Sequence, residues 1–336
     1  MSIRSHTIPR FYLEQFANPS RREDKRGKVW VYQKGKEPQL RATNSQGYEC
    51  GYFGVVRPDG SLDESLETHL ARLEDRCNDI LVSSKYELCD LRSLTNRNIL
   101  AFYATLLFQR STAQMTFSAS NWSKLKEPYT KLASNEEYLR DTAEHFTQMT
   151  GQLITPESIR TLIQKQVERF SDKDNAKNSF LTSLLVNVEI MQGELVSKPW
   201  QIWGAPADAE FVTSDNPLVT YLPITPELWH PGHGFRQPNV VTAFPLAPSA
   251  CLTMGITGRE FERVTESTVM RMNDIIVRSS ARFVYSKARS DSIALMMEEF
   301  GGTSVPGKNA FVGPMPDEKH VEEHMRRSMR IVKRKR

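Results

Sequence analysis

Four side chains, His6, Glu74, Arg110 and Asp215, are of types that move protons or hold anions, and surface chemistry alone explains their positions poorly. His6 stands just ahead of an expected helix start, with Thr7 as a capping residue and Pro9 near the first helical position. The positive end of a helix dipole would lower its pKa and favour neutral imidazole, the form that a general base or a metal ligand needs. The plainer alternative is a hydrogen bond to backbone that anchors the terminus. Arg110 follows Leu106 by four residues and Leu107 by three, so a helix carries its guanidinium along the apolar stripe. A cation in that position calls for a carboxylate or a bound anion, because an unpaired buried charge is costly. Glu67 and Glu74 are seven apart, hence on one side of the preceding helix, and are the acids available. Arg110 therefore reads either as a clamp between two helices or as the holder of a substrate phosphate or carboxylate.

The run Thr213-Ser214-Asp215-Asn216-Pro217 ends one strand and begins another. Asp and Asn before Pro build turns through side-chain to backbone hydrogen bonds, so a purely structural corner is one reading. In the other, Asp215 is a metal ligand or acid–base carboxylate, and Ser214 and Asn216 donate to developing charge. Ser214 lacks the Gly-x-Ser-x-Gly surroundings of an activated nucleophile. His230-Pro-Gly-His233 has metal-like spacing, but only Glu227 accompanies it. No Walker loop, Gly-x-Gly-x-x-Gly, His-Glu-x-x-His or kinase signature occurs, which sets aside nucleotide cofactors and zincin chemistry and leaves a divalent metal open.

Both ends of the chain supply strands and the middle supplies helices. Val29-Trp30-Val31-Tyr32 is β-branched and aromatic, and Tyr48 to Val56 is a second, Gly-interrupted strand. Leu66, Leu70, Leu73, Cys77 and Ile80 then recur at helical spacing, and a broad apolar face from Ile99 to Leu107 predicts a helix over 95–117. Further helices are expected over 121–150, 156–171 and 175–196. Short β segments return at 200–203, 210–213, 218–221, 240–244 and 250–255, followed by a helix at 265–280 and a strand at 282–285.

Composition narrows the setting. The 336 residues suffice for one large domain or two ordinary ones. No apolar run reaches membrane-spanning length and the first residues lack a secretory leader, so a cytoplasmic protein is expected. Cys50, Cys77, Cys89 and Cys251 are scattered, which fits reduced thiols. The net charge of +4 comes from the end of the chain: residues 326–336 hold seven bases and no acid, so the remainder nets −3. That run is expected to be a solvated tail, with a phosphate-binding arm for nucleic acid as the alternative. Oligomeric state has no signature in the sequence.

The runs His6-Thr-Ile-Pro-Arg-Phe-Tyr-Leu-Glu-Gln-Phe16, Val29-Trp-Val-Tyr32, Ser65-Leu-Glu67 with Glu74, Gln109-Arg110-Ser-Thr112, Phe211-Val-Thr-Ser-Asp-Asn-Pro217, Phe244-Pro-Leu-Ala-Pro248, and Asn273 with Ala281-Arg-Phe-Val-Tyr285 together resemble a bacterial family, domain of unknown function 4238. The resemblance spans roughly residues 5–288 and lapses in the loop 229–237 and beyond about 290. It implies a fold-level unit and a set of residues, and carries no settled activity.

The expected fold is α+β: a mixed or antiparallel sheet from residues 1–60 and 198–288, with a helical lobe, 61–197, inserted between them. Residues 1–290 then form one domain, and 291–336 a partly helical segment and basic tail. A site gathering His6, Glu74 and Asp215 as catalytic groups and Arg110, Ser214 and Asn216 as binding groups suits a hydrolase or nuclease-like effector acting on a phosphodiester or other anionic substrate. The rival is a non-catalytic binding or regulatory module in which the same groups form a buried polar network.

Overall fold

The computed structural model describes residues 4–18, 27–84, 90–224, 229–232, 234–237 and 239–302. The tail 326–336, the charged turn 21–26 and His233 lie outside the described residues. In chain order the elements are β1 (Arg4–His6), α1 (Arg10–Glu14), β2 (Lys28–Gln33), β3 (Lys36–Ala42), β4 (Tyr48–Cys50), β5 (Val55–Val56), β6 (Leu62–Asp63), α2 (Ser65–Ser84), α3 (Leu94–Gln109), α4 (Thr112–Lys124), α5 (Lys126–Ala133), α6 (Glu136–Thr150), α7 (Pro156–Arg169) and α8 (Lys173–Ser197). There follow β7 (Trp200–Gly204), β8 (Thr213–Ser214), β9 (Val219–Pro223), β10 (Trp229–Pro231), β11 (Val241–Ala247), β12 (Ala250–Met254), β13 (Phe261–Arg263), α9 (Glu266–Ser279), β14 (Val284–Ser286) and α10 (Asp291–Phe300).

The fold is α+β, with strands from both ends flanking a helical middle. The terminal parts do share a sheet, of order β3-β2-β14-β8. The rest of the C-terminal strands form a second sheet, β10-β9-β11-β12-β7-β13, antiparallel except where β13 runs parallel to β7. Period-two alternation gives this larger sheet two buried faces. Ile202, Phe244, Leu246, Leu252 and Met254 meet Tyr12 and Leu13 of α1 and Leu100, Tyr103 and Leu107 of α3. Trp203, Tyr221, Val241, Ala243 and Cys251 meet Val269, Met272 and Ile276 of α9, with Tyr32 and Val284 of the smaller sheet. Strands buried on both faces read as short apolar runs, which is why 240–244 and 250–255 stand out in the sequence. In the helical middle, α5, α6 and α7 close a separate core around Tyr129, Leu139, Phe146, Ile159, Ile163 and Phe170.

Several local expectations change: helix 121–150 divides among the end of α4, α5 and α6, and strand 210–213 shrinks to β8. Helix 95–117 is two helices, because the chain turns at Arg110-Ser111 and the Ser111 hydroxyl caps α4 by accepting from Gln114 N. Strand 48–56 breaks into β4 and β5 at Gly51, whose φ of 64° takes the chain into the left-handed region. Thr7 caps nothing: its hydroxyl donates to Gly47 O at 3.2 Å, and Pro9, which has no N–H to satisfy, stands at the start of α1. Gly47 also lets the two segments approach, since a Cβ there would sit 3.0 Å from Ile8 Cβ. The N-terminal segment is thereby pinned to the turn before β4, and β1 pairs with β4 in a small antiparallel ribbon.

Candidate functional site

The N-terminal ribbon brings His6, Glu74 and Arg110 together. Arg110, at the end of α3, is 1% exposed. Its Nη1 pairs with Glu74 of α2, 14% exposed, and its Nη2 donates to the main-chain carbonyl of His6. The guanidinium lies 5.1 Å over the Phe53 ring. Glu67, one helical face with Glu74, completes the cluster: its Oε1 accepts from His6 N at 3.4 Å, and its carboxylate is also favoured by the Ser5 hydroxyl, which itself accepts from Phe53 N. Burial lowers the Arg110 pKa to about 10, opposed most by the Glu67 charge. Burial likewise raises the Glu67 carboxyl, with the Arg110 charge pulling the other way. Two atoms of this cluster are buried without a hydrogen-bond partner: Arg110 Nε and Glu67 Oε2.

The His6 ring is half-buried, 6.3 Å from that of Tyr48 across the ribbon. Because His6 ends β1 and α1 starts only at Arg10, the helix-dipole argument for a lowered imidazole pKa does not apply; that field fades within the first turn.

Asp215 belongs to a different construction. It is 6% exposed, and its Oδ1 accepts from Ala281 N at 2.8 Å while Oδ2 accepts from Arg282 N at 2.7 Å and Phe283 N at 3.0 Å. Burial pushes its pKa up to about 6 against these three N–H groups, which lower it. Ser214 Oγ donates to Asn216 O and accepts from Asn216 N, and Asn216 Nδ2 donates to Ser279 O. Asn273 of α9 braces the approach by accepting from Val212 N and donating to Glu210 O. Main chain thus takes both oxygens of Asp215, and Ser214 and Asn216 serve the same turn. The ribbon touches both constructions: Glu49, opposite Ser5, lies 3.8 Å from Arg282, whose own N–H holds Asp215.

The sequence motifs meet at a third point that reasoning from His6 and Asp215 missed. Tyr12 OH donates to Pro245 O at 2.7 Å and lies 2.8 Å from Thr213 Oγ1, its ring stacked on Phe244 at 5.4 Å. Since the phenol proton goes to the carbonyl, the Thr213 hydroxyl donates to Tyr12. Tyr285 pairs in register with Thr213. One phenol therefore ties the N-terminal run, the Thr-Ser-Asp-Asn-Pro run and the Phe-Pro-Leu-Ala-Pro run into a single core. The signal available in the sequence was an amphipathic tyrosine amid apolar neighbours, whose hydroxyl must find a partner once buried.

The family described as "Protein of unknown function (DUF4238)" matches residues 4–290. The chain belongs to that family. No curated protein and no solved structure matches the chain. The DUF4238 match covers every strand and helix of the two sheets and the helical middle and stops just before α10. Among the described residues, no three His, Cys, Asp or Glu side chains group as a metal site, and no helix is long and apolar enough to cross a membrane. The side chain of His230 and all of His233 lie outside the described residues. Cys50 is exposed and Cys77 and Cys251 are buried, all three as free thiols.

Proposed function

We propose that the protein is a hydrolase acting on an anionic substrate at the ribbon, with His6, Glu67 and Glu74 as proton-transfer groups around Arg110. The observation that carries this reading is the incomplete satisfaction of the cluster: Glu67 keeps one carboxylate oxygen unpaired beside a buried guanidinium that keeps one N–H unpaired. Burial raises the Glu67 carboxyl, which favours its acting in proton transfer. Phosphodiesters are the favoured class, because the seven bases of 326–336 add a field that attracts nucleic acid. Asp215 takes the role of a brace, outside the proton-transfer set. The test uses the full chain with bis(4-nitrophenyl) phosphate and with labelled single-stranded oligonucleotides. Turnover that falls about 10²-fold or more in His6→Ala, with unchanged thermal unfolding, is the expected result. Absence of turnover on every probe sinks the proposal.

A second reading, a non-catalytic binding or regulatory module, draws support from one observation: Nη1 and Nη2 of Arg110 and both oxygens of Asp215 are taken by protein groups. It expects no turnover, and loss of fold rather than of activity when these groups are removed.

A further inference from the structure

We propose that residues 317–333 form an amphipathic helix that docks antiparallel along the outer face of α8. The inner face of α8 is accounted for, since Phe180, Leu184 and Val188 are buried with Leu106 of α3 and against Met115 of α4. Its other side carries a second apolar stripe. Leu185, Val186 and Ile190 are 36%, 56% and 51% exposed, and the exposed Thr182, Glu189 and Gly193 complete the same side. A Cβ added at Gly193 would meet no atom within 4 Å, so the stripe offers a shallow seat at that end. Positions 182, 186, 189 and 193 follow one another at intervals of four, three and four, the spacing of a seam that receives another helix.

The occupant is in the chain itself. Residues 303–336 lie outside the described residues, and their sequence holds Val321, Met325, Ser328 and Val332 at the same intervals, with Met329 beside them. A lone helix of that length is marginal in water and needs a face to pack on. The linker 303–320 reaches about 60 Å when extended, against a radius of gyration of about 19 Å for a domain of this size. Charge sets the direction. Asp317 and Glu318 begin the segment, and Lys333, Arg334, Lys335 and Arg336 end it. An antiparallel seat carries the basic end toward Asp172 and Asp174 at the start of α8, the acidic end toward Lys198 at its finish, and Arg326 to Glu189. A second copy of α8 fits this face less well. A two-fold antiparallel pairing would bring Glu189 close to its own copy, and positions 182–193 hold no cation to answer it. Tethering adds to the preference, because a flexible linker presents the segment at an effective concentration of about mM. On such a helix Arg327, Arg330 and Arg334 fall on the side away from the stripe, so docking leaves them open to a polyanion.

Cysteine pairs test the seat in the full chain, with Cys50 and Cys89 replaced by Ser. Val186→Cys with Ser328→Cys should close an intramolecular disulfide under mild oxidation. The control is Leu295→Cys with Ser328→Cys, because Leu295 on α10 is more exposed, at 72%, and lies off the proposed seat. Equal yields from the two pairs, or a covalent dimer in place of a linked monomer, overturn the proposal. A second measurement needs no disulfide. Val186→Lys with Ile190→Lys should speed limited tryptic cleavage after Arg326 and Arg330 by about tenfold, since cleavage follows the undocked population, and should leave thermal unfolding unchanged. Cleavage at the wild-type rate overturns the docking.

Discussion

The Asp215 corner and the Arg110 cluster each bury a charge contributed by one of the sequence's most recognisable runs, yet they settle it differently. Among the described residues Asp215 forms no ion pair, though the Arg282 charge favours its ionised form; three successive main-chain N–H groups meet its two oxygens, and its neighbours Ser214 and Asn216 close the same turn. Arg110 has a counter-ion in Glu74 and a second carboxylate close enough to oppose its loss of charge, yet an N–H and a carboxylate oxygen remain unpaired. A carboxylate whose bonds all go to main chain fixes backbone geometry, and what this corner leaves without a partner is a neutral amide oxygen, Asn216 Oδ1. The cluster leaves a donor and an acceptor unpaired on charged side chains. The difference separates a brace from a candidate reaction centre, although both looked alike as isolated charged residues in the sequence.

The largest effect is expected at Arg110. Arg110→Met would leave Glu74 and Glu67 without their cation and His6 O without its donor, and should cost about 3–5 kcal/mol in urea unfolding. A loss below about 1 kcal/mol would place the cluster at an ordinary surface ion pair and erase the contrast. Asp215→Ala comes next. It strands three buried N–H groups and should cost about 3 kcal/mol, moderated by release from a buried charge. The pH dependence has a defined sign. Because burial raises the folded-state pKa to about 6, above the ordinary 3.8, the contribution of Asp215 is fully present below about pH 4 and declines as pH rises through 6. The cost of Asp215→Ala should accordingly be larger at pH 4 than at pH 7. An equal cost at both would show that the three N–H groups, and not burial, dominate the carboxylate.

Much of this architecture was legible from pattern. The spacing Leu66-Leu70-Leu73-Cys77-Ile80 gave α2, Pro156 behind Thr155 gave the start of α7, and the flat apolar runs gave β7, β11 and β12. Strand β3 was missed because Lys36–Ala42 is a mostly exposed edge containing Pro38, with none of the alternation that a half-buried strand shows. Within the site, the need for a carboxylate near Arg110 was readable, since an apolar stripe cannot hold a bare cation. The choice between Glu67 and Glu74 was not, because both share a helix face and only the tertiary approach of β1 fixes which one pairs. The use of Asp215 was equally hidden: its partners are main-chain groups at 281–283, and every residue has an N–H to offer.

Tyr12 offers a smaller test of the same contrast, because it joins several motifs and carries no charge. Tyr12→Phe keeps the ring stacked on Phe244 and removes only the hydroxyl that Thr213 and Pro245 share. The expected loss is about 1–2 kcal/mol, the cost of leaving a buried acceptor and donor unmatched. Turnover per folded molecule should not change. If activity fell with Tyr12→Phe while stability held, the reaction centre would belong in the core between the sheet and α3 and not at the ribbon.

The smallest stability effect is expected at Glu67, for which a proton-transfer role is proposed. Glu67→Gln keeps its hydrogen bonds to Ser5 and His6 N and gives up a charge that burial disfavours, although Arg110 partly supports that charge. With the residue as a whole only half-buried, the net change should stay under about 1 kcal/mol after allowance for solvent screening. Its sign depends on pH. A carboxyl whose folded pKa is raised stabilises most when protonated and loses that contribution as pH rises. The amide should therefore match the wild type in acid and gain on it toward neutral pH, as unfolding curves collected across that range would show. A loss growing with pH instead would mean that the Arg110 charge outweighs burial at Glu67. The carboxylate would then be a counter-ion like Glu74, and the difference between cluster and corner would shrink to one of partner type.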